Sequence, residues 1–407
     1  MRQGEMMKIK QLLGLTVAAL TLCGTVAQAQ KVEPLRVGIT VSNSGAFMLA
    51  SQSGERGVQI WIDDVNRRGG IDFKGQKRPV ELVALDDRSD KQMVPRVYET
   101  LIANQKVDVL FAPFGSTLTS AAATVAERNG KFMISWSASS DGIYEQGYKN
   151  LVSAVVPSSL IPNTNLRMLK DAGVKKIAIT YVDEAFPASL AEAAYKNALE
   201  MGFDVVMNEN YQKGTKDFSV ILQKAKALGA EAFYPHTYEV DSILMVRQMR
   251  ELDIQFNNIY MMYGSTPQFL ELGEAAQYIT SHTQYDPAVK WDITDGLQNE
   301  EFVARYKELF PSVSYSEDFQ TVLAYGAGAA LERLLTKAQS VEPADLKQAA
   351  LDLSGQITTI SGKFAIDQTG KQTGMEAIVL QNQPGKGLVP VAPAEVATEK
   401  LIYPIPK

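Results

Sequence analysis

The sequence has 407 residues, of which 45% are apolar and 21% carry a charge, and its formal net charge is −6. An excess of acidic residues argues against a nucleic-acid partner, because such partners are recognised by basic surfaces. The chain is also longer than one hydrophobic core usually supports, so we expect two core-forming units.

The first 29 residues have the pattern of a signal peptide. Lys8 and Lys10 precede an apolar run at 12–22, and a small-residue cleavage pattern ends at Ala29. The run is shorter than the roughly 20 residues that a membrane-spanning helix needs. We therefore expect secretion to the periplasm and cleavage after residue 29. A retained lipid anchor on Cys23, the only cysteine, is the alternative.

The expected mature chain contains no cysteine, so neither a disulfide nor a thiolate site contributes to it. Removing a leader with three basic residues and one acidic residue leaves 37 basic and 45 acidic residues, a balance of about −8. The stability of the mature protein must then come from packed apolar cores.

The first half of the mature chain alternates between strand and helix patterns. Short apolar runs bounded by turn residues predict strands, and longer amphipathic runs predict helices. The predicted strands are 35–40, 80–85, 109–112 and 132–135, and the predicted helices are 52–67, 91–103 and 119–129. This alternation predicts a parallel sheet flanked by helices.

A second series of the same kind follows residue 157. Its predicted strands are 176–181, 204–208, 232–234 and 259–262, and its predicted helices are 160–172, 187–201, 217–228 and 242–252. After the segment 280–285 the pattern predicts three helices, at 300–309, 319–337 and 343–352. A strand-rich end follows, in which the turn residues at 367–370 support a hairpin. The fold class is therefore α/β, with two similar Rossmann-like lobes whose parallel sheets are flanked by helices.

Six short segments, taken together in their order and spacing, resemble the leucine/isoleucine/valine-binding proteins, the receptors of branched-chain amino-acid-type ABC importers. These segments are 65–71 (VNRRGGI), 85–87 (LDD), 114–117 (FGST), 133–135 (MIS), 216–218 (KDF) and 247–250 (RQMR). The resemblance implies a type I periplasmic binding protein, which traps a small-molecule ligand between two closing lobes and delivers it to a membrane permease.

The resemblance also implies a three-segment hinge, with crossovers near 154–157, 280–283 and 354–359. Residues 30–154 plus 283–355 would form the N-terminal lobe, and 155–282 plus 356–407 the C-terminal lobe. We expect a monomer without a cofactor or a bound metal.

A hydroxyl-rich turn at the start of a predicted helix is the first candidate for ligand binding. Ser116 and Thr117 follow an apolar strand, and a helix N-terminus presents free backbone amides to an anion. These groups would hold a carboxylate without an arginine. The alternative is that the two hydroxyls only cap the helix.

The next strand ends in a second hydroxyl-rich turn, which should lie beside the first at the carboxyl edge of the sheet. The resemblance assigns a backbone carbonyl at Ala138 and a hydroxyl at Ser139 to the ligand. Trp136 either stacks on the ligand or packs in the core.

The second lobe should contribute aromatic side chains. Phe186 and Tyr238 match two tyrosines that close over the ligand in the family, although Phe186 lacks the phenol. Phe47 and His236 are further candidates, and a structural role is the alternative for His236.

Tyr263 is a further aromatic candidate, and the loop that contains it departs from the family pattern. Members that bind amino acids place a glutamate there to pair with the ammonium group, whereas this chain has no acid between residues 254 and 270. Burying an unpaired ammonium costs several kcal/mol. The pocket should therefore recruit Glu184, Glu239 or Asp241, or take a hydrophobic or aromatic carboxylate that has no ammonium.

Other functions were weighed against transport. The two histidines have no metal-ligand spacing, and no nucleophile elbow, phosphate loop or catalytic cysteine is present, so we expect no enzyme. A receptor for a branched-chain or other hydrophobic amino acid, or a sensor of an amide or urea, is compatible with the same fold.

Overall fold

The computed structural model describes residues 32–313 and 318–406. The predicted signal peptide and Cys23 lie outside the described residues. Up to residue 153 the elements are β1 (Leu35–Val41), α1 (Met48–Arg67), β2 (Ile71–Phe73), β3 (Gln76–Arg78), β4 (Val80–Asp86), α2 (Val94–Glu99), β5 (Val109–Phe111), α3 (Ser116–Arg128), β6 (Met133–Ser135), α4 (Asp141–Tyr144) and β7 (Leu151–Ser153).

A second strand-and-helix series follows, and an irregular carboxyl-terminal part completes the chain. Its elements are α5 (Ile161–Asp171), β8 (Lys176–Val182), α6 (Ala185–Glu200), β9 (Asp204–Tyr211), α7 (Ser219–Ala227), β10 (Ala232–His236), α8 (Glu239–Glu251), β11 (Asn258–Ile259), α9 (Pro267–Leu270), β12 (Thr280–Thr283), α10 (Asn299–Leu309), α11 (Phe319–Ala338), α12 (Pro343–Asp352), β13 (Ile357–Thr359), β14 (Gly362–Phe364), β15 (Ile378–Gln383) and β16 (Gly387–Ala392).

Two parallel sheets share one strand order. The first has the order β4-β1-β5-β6-β7 and the second the order β11-β10-β8-β9. In each sheet the first strand of the series lies between the second and the third. The strand order therefore reverses at β1/β5 in one sheet and at β8/β10 in the other, which is where open α/β sheets bind ligands. This architecture confirms the predicted fold class.

Separate apolar cores surround the two sheets. The first core gathers side chains from Leu35 to Val155 and again from Tyr285 to Ile366. In the second sheet, Ile177 and Ile179 pack on one face while Ala178 packs on the other, as the two-residue period of a strand requires. The residue limits of the two lobes stay a prediction.

Helix α11 was predicted from its apolar pattern, but its tight packing against α1 was not. A Cβ atom at Gly57 would lie 2.1 Å from the carbonyl oxygen of Thr321, so only glycine permits this approach. Asp318 begins the helix by accepting a hydrogen bond from the Thr321 amide at 2.8 Å. The first turn of α11 is thereby held beside the carboxyl edge of the first sheet.

The strands of the carboxyl-terminal end include β15 and β16, which form a third, antiparallel sheet with the order β12-β15-β16. Its strand β12 also lies alongside the end of the second parallel sheet, because Tyr260 forms a parallel bridge with Thr280 and the Met261 amide donates to the Thr280 carbonyl at 2.8 Å. Side chains of β12 therefore stand next to those that follow β11.

Candidate functional site

The carboxyl ends of both parallel sheets face one cavity of about 30 Å³, which we call the inner cavity. That volume accommodates about two water molecules, so a ligand the size of leucine fits only if the walls move apart. The loops after β5 and β10, at the two strand-order reversals, both line it. The lining residues are Phe114, Gly115, Ser137, Ser139, Val155, Ile161, Phe186, Tyr238, Met262, Tyr263, His282, Gln284, Phe319, Gln320 and Leu323.

The first-sheet wall consists of two turns that are joined to each other. Gly115 precedes α3 with φ +81°, a conformation that favours glycine, and its amide donates to the Ser137 hydroxyl at 3.0 Å. Ser139 is buried, and its carbonyl accepts a hydrogen bond from the Ser158 amide at 2.7 Å. Gly115, Ser137 and Ser139 line the inner cavity, and Ser137 was not among the predicted ligand-binding residues.

Ser116 and Thr117 lie at the first turn of α3, but neither lines the inner cavity. The Ser116 hydroxyl accepts a hydrogen bond from the Ser140 amide at 3.1 Å and so joins the two turns. Thr117 lines a separate surface pocket together with Phe47. The alternative prediction was that these hydroxyls cap α3, but no side chain forms a capping hydrogen bond at its N-terminus. Their assignment to a ligand stays a prediction.

Trp136 and Ala138 support the wall from behind. The Trp136 indole is 1% exposed and donates to the Ala112 carbonyl at 3.0 Å, while its ring lies against Gly54, where a Cβ atom would be 2.0 Å away. The Ala138 carbonyl accepts a hydrogen bond from the Tyr144 hydroxyl at 2.7 Å. Both residues are thus engaged within the protein, and their role as ligand contacts also stays a prediction.

The second-sheet wall is aromatic, and it brings together three of the predicted site residues. Phe186, Tyr238 and Tyr263 all line the inner cavity. The Tyr238 ring lies 5.3 Å from that of Phe47 and 6.1 Å from that of Tyr263, measured between centroids. Burial raises the pKa of both phenols, so they are neutral donors. The Tyr238 hydroxyl is buried and has no hydrogen-bond partner among the described residues.

Of the two histidines, His282 lines the inner cavity, whereas His236, the one predicted to bind ligand, does not. His236 is fully buried against Tyr234, at 4.9 Å between ring centroids, and does not line the inner cavity. His282, which was considered only as a metal ligand, does line it, and its Nδ1 lies 2.6 Å from the Tyr260 hydroxyl. Burial lowers the pKa of His236 to about 3 and that of His282 to about 4, so both imidazoles are neutral at pH 7.

The carboxyl-terminal half also contributes to the inner cavity, which the sequence did not indicate. Phe319, Gln320 and Leu323 reach the inner cavity from the first turns of α11, and Gln284 reaches it from the segment after β12. The Gln284 carboxamide oxygen accepts a hydrogen bond from the Val156 amide at 2.9 Å. The only available signal was the predicted crossover at 280–283, which contains His282.

A larger space of about 460 Å³, which we call the outer compartment, adjoins the inner cavity and shares Phe114, Tyr238, Tyr263 and Gln320 with it. Phe47 lines only the outer compartment and the neighbouring surface pocket. The outer compartment also carries charged side chains, namely Glu184, Lys213, Lys216, Glu239, Asp241 and Asp318.

Most of these outer carboxylates already have protein partners. Glu184 pairs with Lys213 at 2.7 Å, and Asp241 accepts a hydrogen bond from the Tyr211 hydroxyl at 2.9 Å. Glu239 accepts a hydrogen bond from the Thr266 hydroxyl, and burial raises its pKa. Glu239 is therefore the carboxylate that contacts the loop containing Tyr263 and Thr266.

The part of the chain that the structure describes has neither a metal-binding cluster nor a membrane-spanning helix. No group of three or more histidine, cysteine, aspartate or glutamate side chains is arranged to hold a metal ion there. Within the same residues, no helix combines the length and the apolarity that a membrane span requires.

Comparison with known proteins identifies the class that this fold and cleft define. A family model described as periplasmic binding protein matches residues 34–386. Because this match covers most of the chain, the protein belongs to the periplasmic binding protein family. It is a family of solute-binding proteins of transporters and not a family of enzymes.

Individual relatives agree with this assignment. The Leu/Ile/Val-binding protein homolog 7 of Brucella suis is 28% identical over 412 residues, which cover 97% of this chain and 99% of the relative. A leucine-binding protein from Thermotoga maritima superimposes with a TM-score of 0.75 at 21% identity, over 88% of this chain and 98% of its own. A solute-binding protein from R. palustris in complex with benzoate has a TM-score of 0.73 at 19% identity, over 90% of this chain and all of its own.

Proposed function

We propose that this protein is the periplasmic receptor of an ABC importer and that its ligand is a small hydrophobic or aromatic carboxylate. In this proposal a cleaved signal peptide ending at Ala29 exports the chain. Ligand binding between the two sheets stabilises the closed form, which a membrane permease recognises. The protein acts as a monomer without catalytic activity.

The charge-free lining of the inner cavity carries the ligand assignment. Among the described residues that line it, none bears a formal charge at pH 7. The hydroxyls of Ser139 and Tyr238 are hydrogen-bond donors available for an anionic oxygen, whereas the Ser137 hydroxyl already donates to the Pro113 carbonyl at 3.3 Å. An ammonium group buried there would lack a carboxylate partner, at a cost of several kcal/mol.

Two similar proteins represent the two candidate ligand classes, carboxylates and amino acids. The R. palustris structure contains benzoate, whereas the T. maritima protein is a leucine-binding protein, so the same fold accommodates both chemistries. The amino-acid alternative requires an acid within reach of the inner cavity. Glu239 is the candidate, because its charge affects the pKa of Tyr263 and its hydrogen-bond partner Thr266 lies in the loop that lacks the family glutamate.

Calorimetric titration of the ligand-stripped chain 30–407 tests the assignment. The panel contains benzoate, isocaproate, the α-keto acid α-ketoisocaproate, leucine, isoleucine, valine, acetamide and urea. We expect the acids to bind, and at a concentration 100 times Kd a true ligand should also stabilise the fold by about 2.7 kcal/mol. Tight leucine binding that is lost in Glu239→Gln would instead establish the amino-acid receptor, and binding of urea or acetamide alone would establish the amide-type sensor.

A further inference from the structure

His282 is held in one orientation at the back of the inner cavity. It lies on β12, which is fixed beside the end of the second sheet by the bridge between Tyr260 and Thr280. Its Nδ1 lies 2.6 Å from the Tyr260 hydroxyl, and both side chains are at least 96% buried. The imidazole ring is therefore positioned by its neighbour before any ligand arrives.

The hydrogen bond to Tyr260 also selects the tautomer. Among the described residues, Nδ1 of His282 is the hydrogen-bond partner of the buried Tyr260 hydroxyl. A phenol that donates its proton to Nδ1 satisfies both buried groups, and the ring proton then lies on Nε2. With the ring kept neutral by burial, Nε2 is an uncharged N–H donor.

Gln284 adds a second donor on the same side. His282 is on β12 and Gln284 lies in the bend directly after it, and both line the inner cavity. The Gln284 carboxamide oxygen is occupied by the Val156 amide at 2.9 Å, so the NH₂ group is the end that remains for a ligand. The wall formed by these two residues presents N–H donors, and the Nδ1 of His282 and the carboxamide oxygen of Gln284 each already have a protein partner.

We propose that His282 and Gln284 recognise a second oxygen of the ligand, which makes the preferred ligands α-keto acids with a hydrophobic or aromatic side chain. This inference rests on the proposed function, since it assigns the ligand carboxylate to the hydroxyl-lined turns of the first sheet. The keto oxygen is an acceptor that two neutral donors bind without introducing a charge into the inner cavity. His282 is then a specificity-determining residue, and Tyr260 is a positioning residue.

A matched ligand pair tests the inference. Isocaproate is α-ketoisocaproate without its keto oxygen, so the ratio of their affinities isolates that one group. We expect the wild-type protein to prefer the keto acid by about tenfold, the equivalent of one or two hydrogen bonds. In His282→Phe the preference should fall below about twofold, and His282→Gln, which retains an N–H donor near the Nε2 position, should restore part of it.

The tautomer provides a readout that a purely structural role would not change. In ¹⁵N spectra of the ligand-free protein, His282 should carry its proton on Nε2, and Tyr260→Phe should allow the two tautomers to mix. Melting temperatures of all three variants establish whether each one is folded.

Each result bears on one of the two proposals. Equal affinity of the wild-type protein for the two acids, an equal loss of both in His282→Phe, or a proton on Nδ1 would overturn the keto-acid inference and leave a carboxylate receptor standing. Binding of leucine with no binding of either acid would refute the proposed function itself.

Discussion

The inner cavity and the outer compartment share aromatic side chains but differ in size and in charge. The inner cavity is about 30 Å³ and, among the described residues, its lining is uncharged, whereas the outer compartment is about 460 Å³ and contains both acids and lysines. The change occurs across Tyr238 and Tyr263, which line both spaces. The aromatic rings therefore mark a boundary between a large charged mouth and a small uncharged interior.

This difference bears on selectivity. Most charged groups at the mouth already have protein partners, as Glu184 and Lys213 show by pairing with each other at 2.7 Å. Inside, a ligand loses its water and must find hydrogen-bond partners of the right kind, since each buried polar group left unpaired costs about 1–3 kcal/mol. Selectivity should then depend on the inner lining far more than on the mouth.

The largest effect is expected when a glutamine is replaced by glutamate, once in the inner cavity and once in the outer compartment. Gln284 lines only the inner cavity and Gln268 lines only the outer compartment. In Gln284→Glu, a carboxylate near the bound acid repels it by about 4 kcal/mol at 4 Å and an effective dielectric of 20. We expect the affinity for α-ketoisocaproate to fall more than about 100-fold by calorimetry at pH 7.5.

Gln268→Glu is the matched control, because it adds the same charge to the outer compartment. We expect it to change the affinity by less than about threefold, since exposed charge pairs contribute roughly 0–1 kcal/mol. Comparable losses in the two variants would remove the distinction between the inner cavity and the outer compartment.

Acidification should reveal the buried histidines behind the inner cavity. Burial lowers the pKa of His236 and His282 to about 3 and about 4 in the folded protein, from about 6.5 in the unfolded chain. As the pH falls below 6.5 the unfolded chain therefore takes up protons first, and stability is lost until the folded pKa values are reached. Between pH 6.5 and pH 5 we expect a loss of about 1.5 kcal/mol for each histidine.

Urea unfolding at several pH values measures this loss, and His236→Phe should remove about half of the slope in that window. Glu239, at the mouth, contributes to the pH dependence of stability with the opposite sign. Its pKa is raised by burial, so the folded protein binds that proton more readily and gains stability as the pH falls. A His236→Phe variant with an unchanged slope would show that His236 is hydrated in solution.

The fold was predictable from the sequence because its elements are defined by local patterns. The strand β1 and the helix α3 were anticipated from an apolar run and a helix-forming run, and the repetition of the same alternation predicted two similar sheets. Turns bounded by glycine were equally visible, as at Gly115, where φ is positive. Such features depend on neighbouring residues in the chain and need no knowledge of the tertiary structure.

The site was only partly predictable, because its far wall is formed by long-range packing. Ser139, Phe186 and Tyr238, which the family resemblance indicated, line the inner cavity together with Tyr263. Gln320 reaches it only because Gly57 lets α11 approach α1, more than 260 residues away in the chain. His282 is placed by the Tyr260 hydroxyl, and no spacing in the sequence indicates that contact.

The smallest expected effects come from removing single phenol hydroxyls at the boundary. The Tyr238 hydroxyl is buried without a hydrogen-bond partner among the described residues, whereas the Tyr211 hydroxyl is bonded to Asp241 at 2.9 Å and to Thr237. In Tyr238→Phe we expect the ligand-free protein to gain roughly 0.5–1 kcal/mol of stability, because an unsatisfied group is removed. The affinity for α-ketoisocaproate should fall about three- to tenfold, because the ligand loses a donor.

Tyr211→Phe should change stability and affinity in the opposite pattern. Loss of its hydrogen bonds should lower the free energy of unfolding by about 1 kcal/mol while the affinity stays within about twofold of the wild-type value. Chemical unfolding and calorimetry on the two variants measure both quantities. If Tyr238→Phe lost stability and kept its affinity, the Tyr238 hydroxyl would belong to the core, and the boundary between the two spaces would lie deeper than Tyr238.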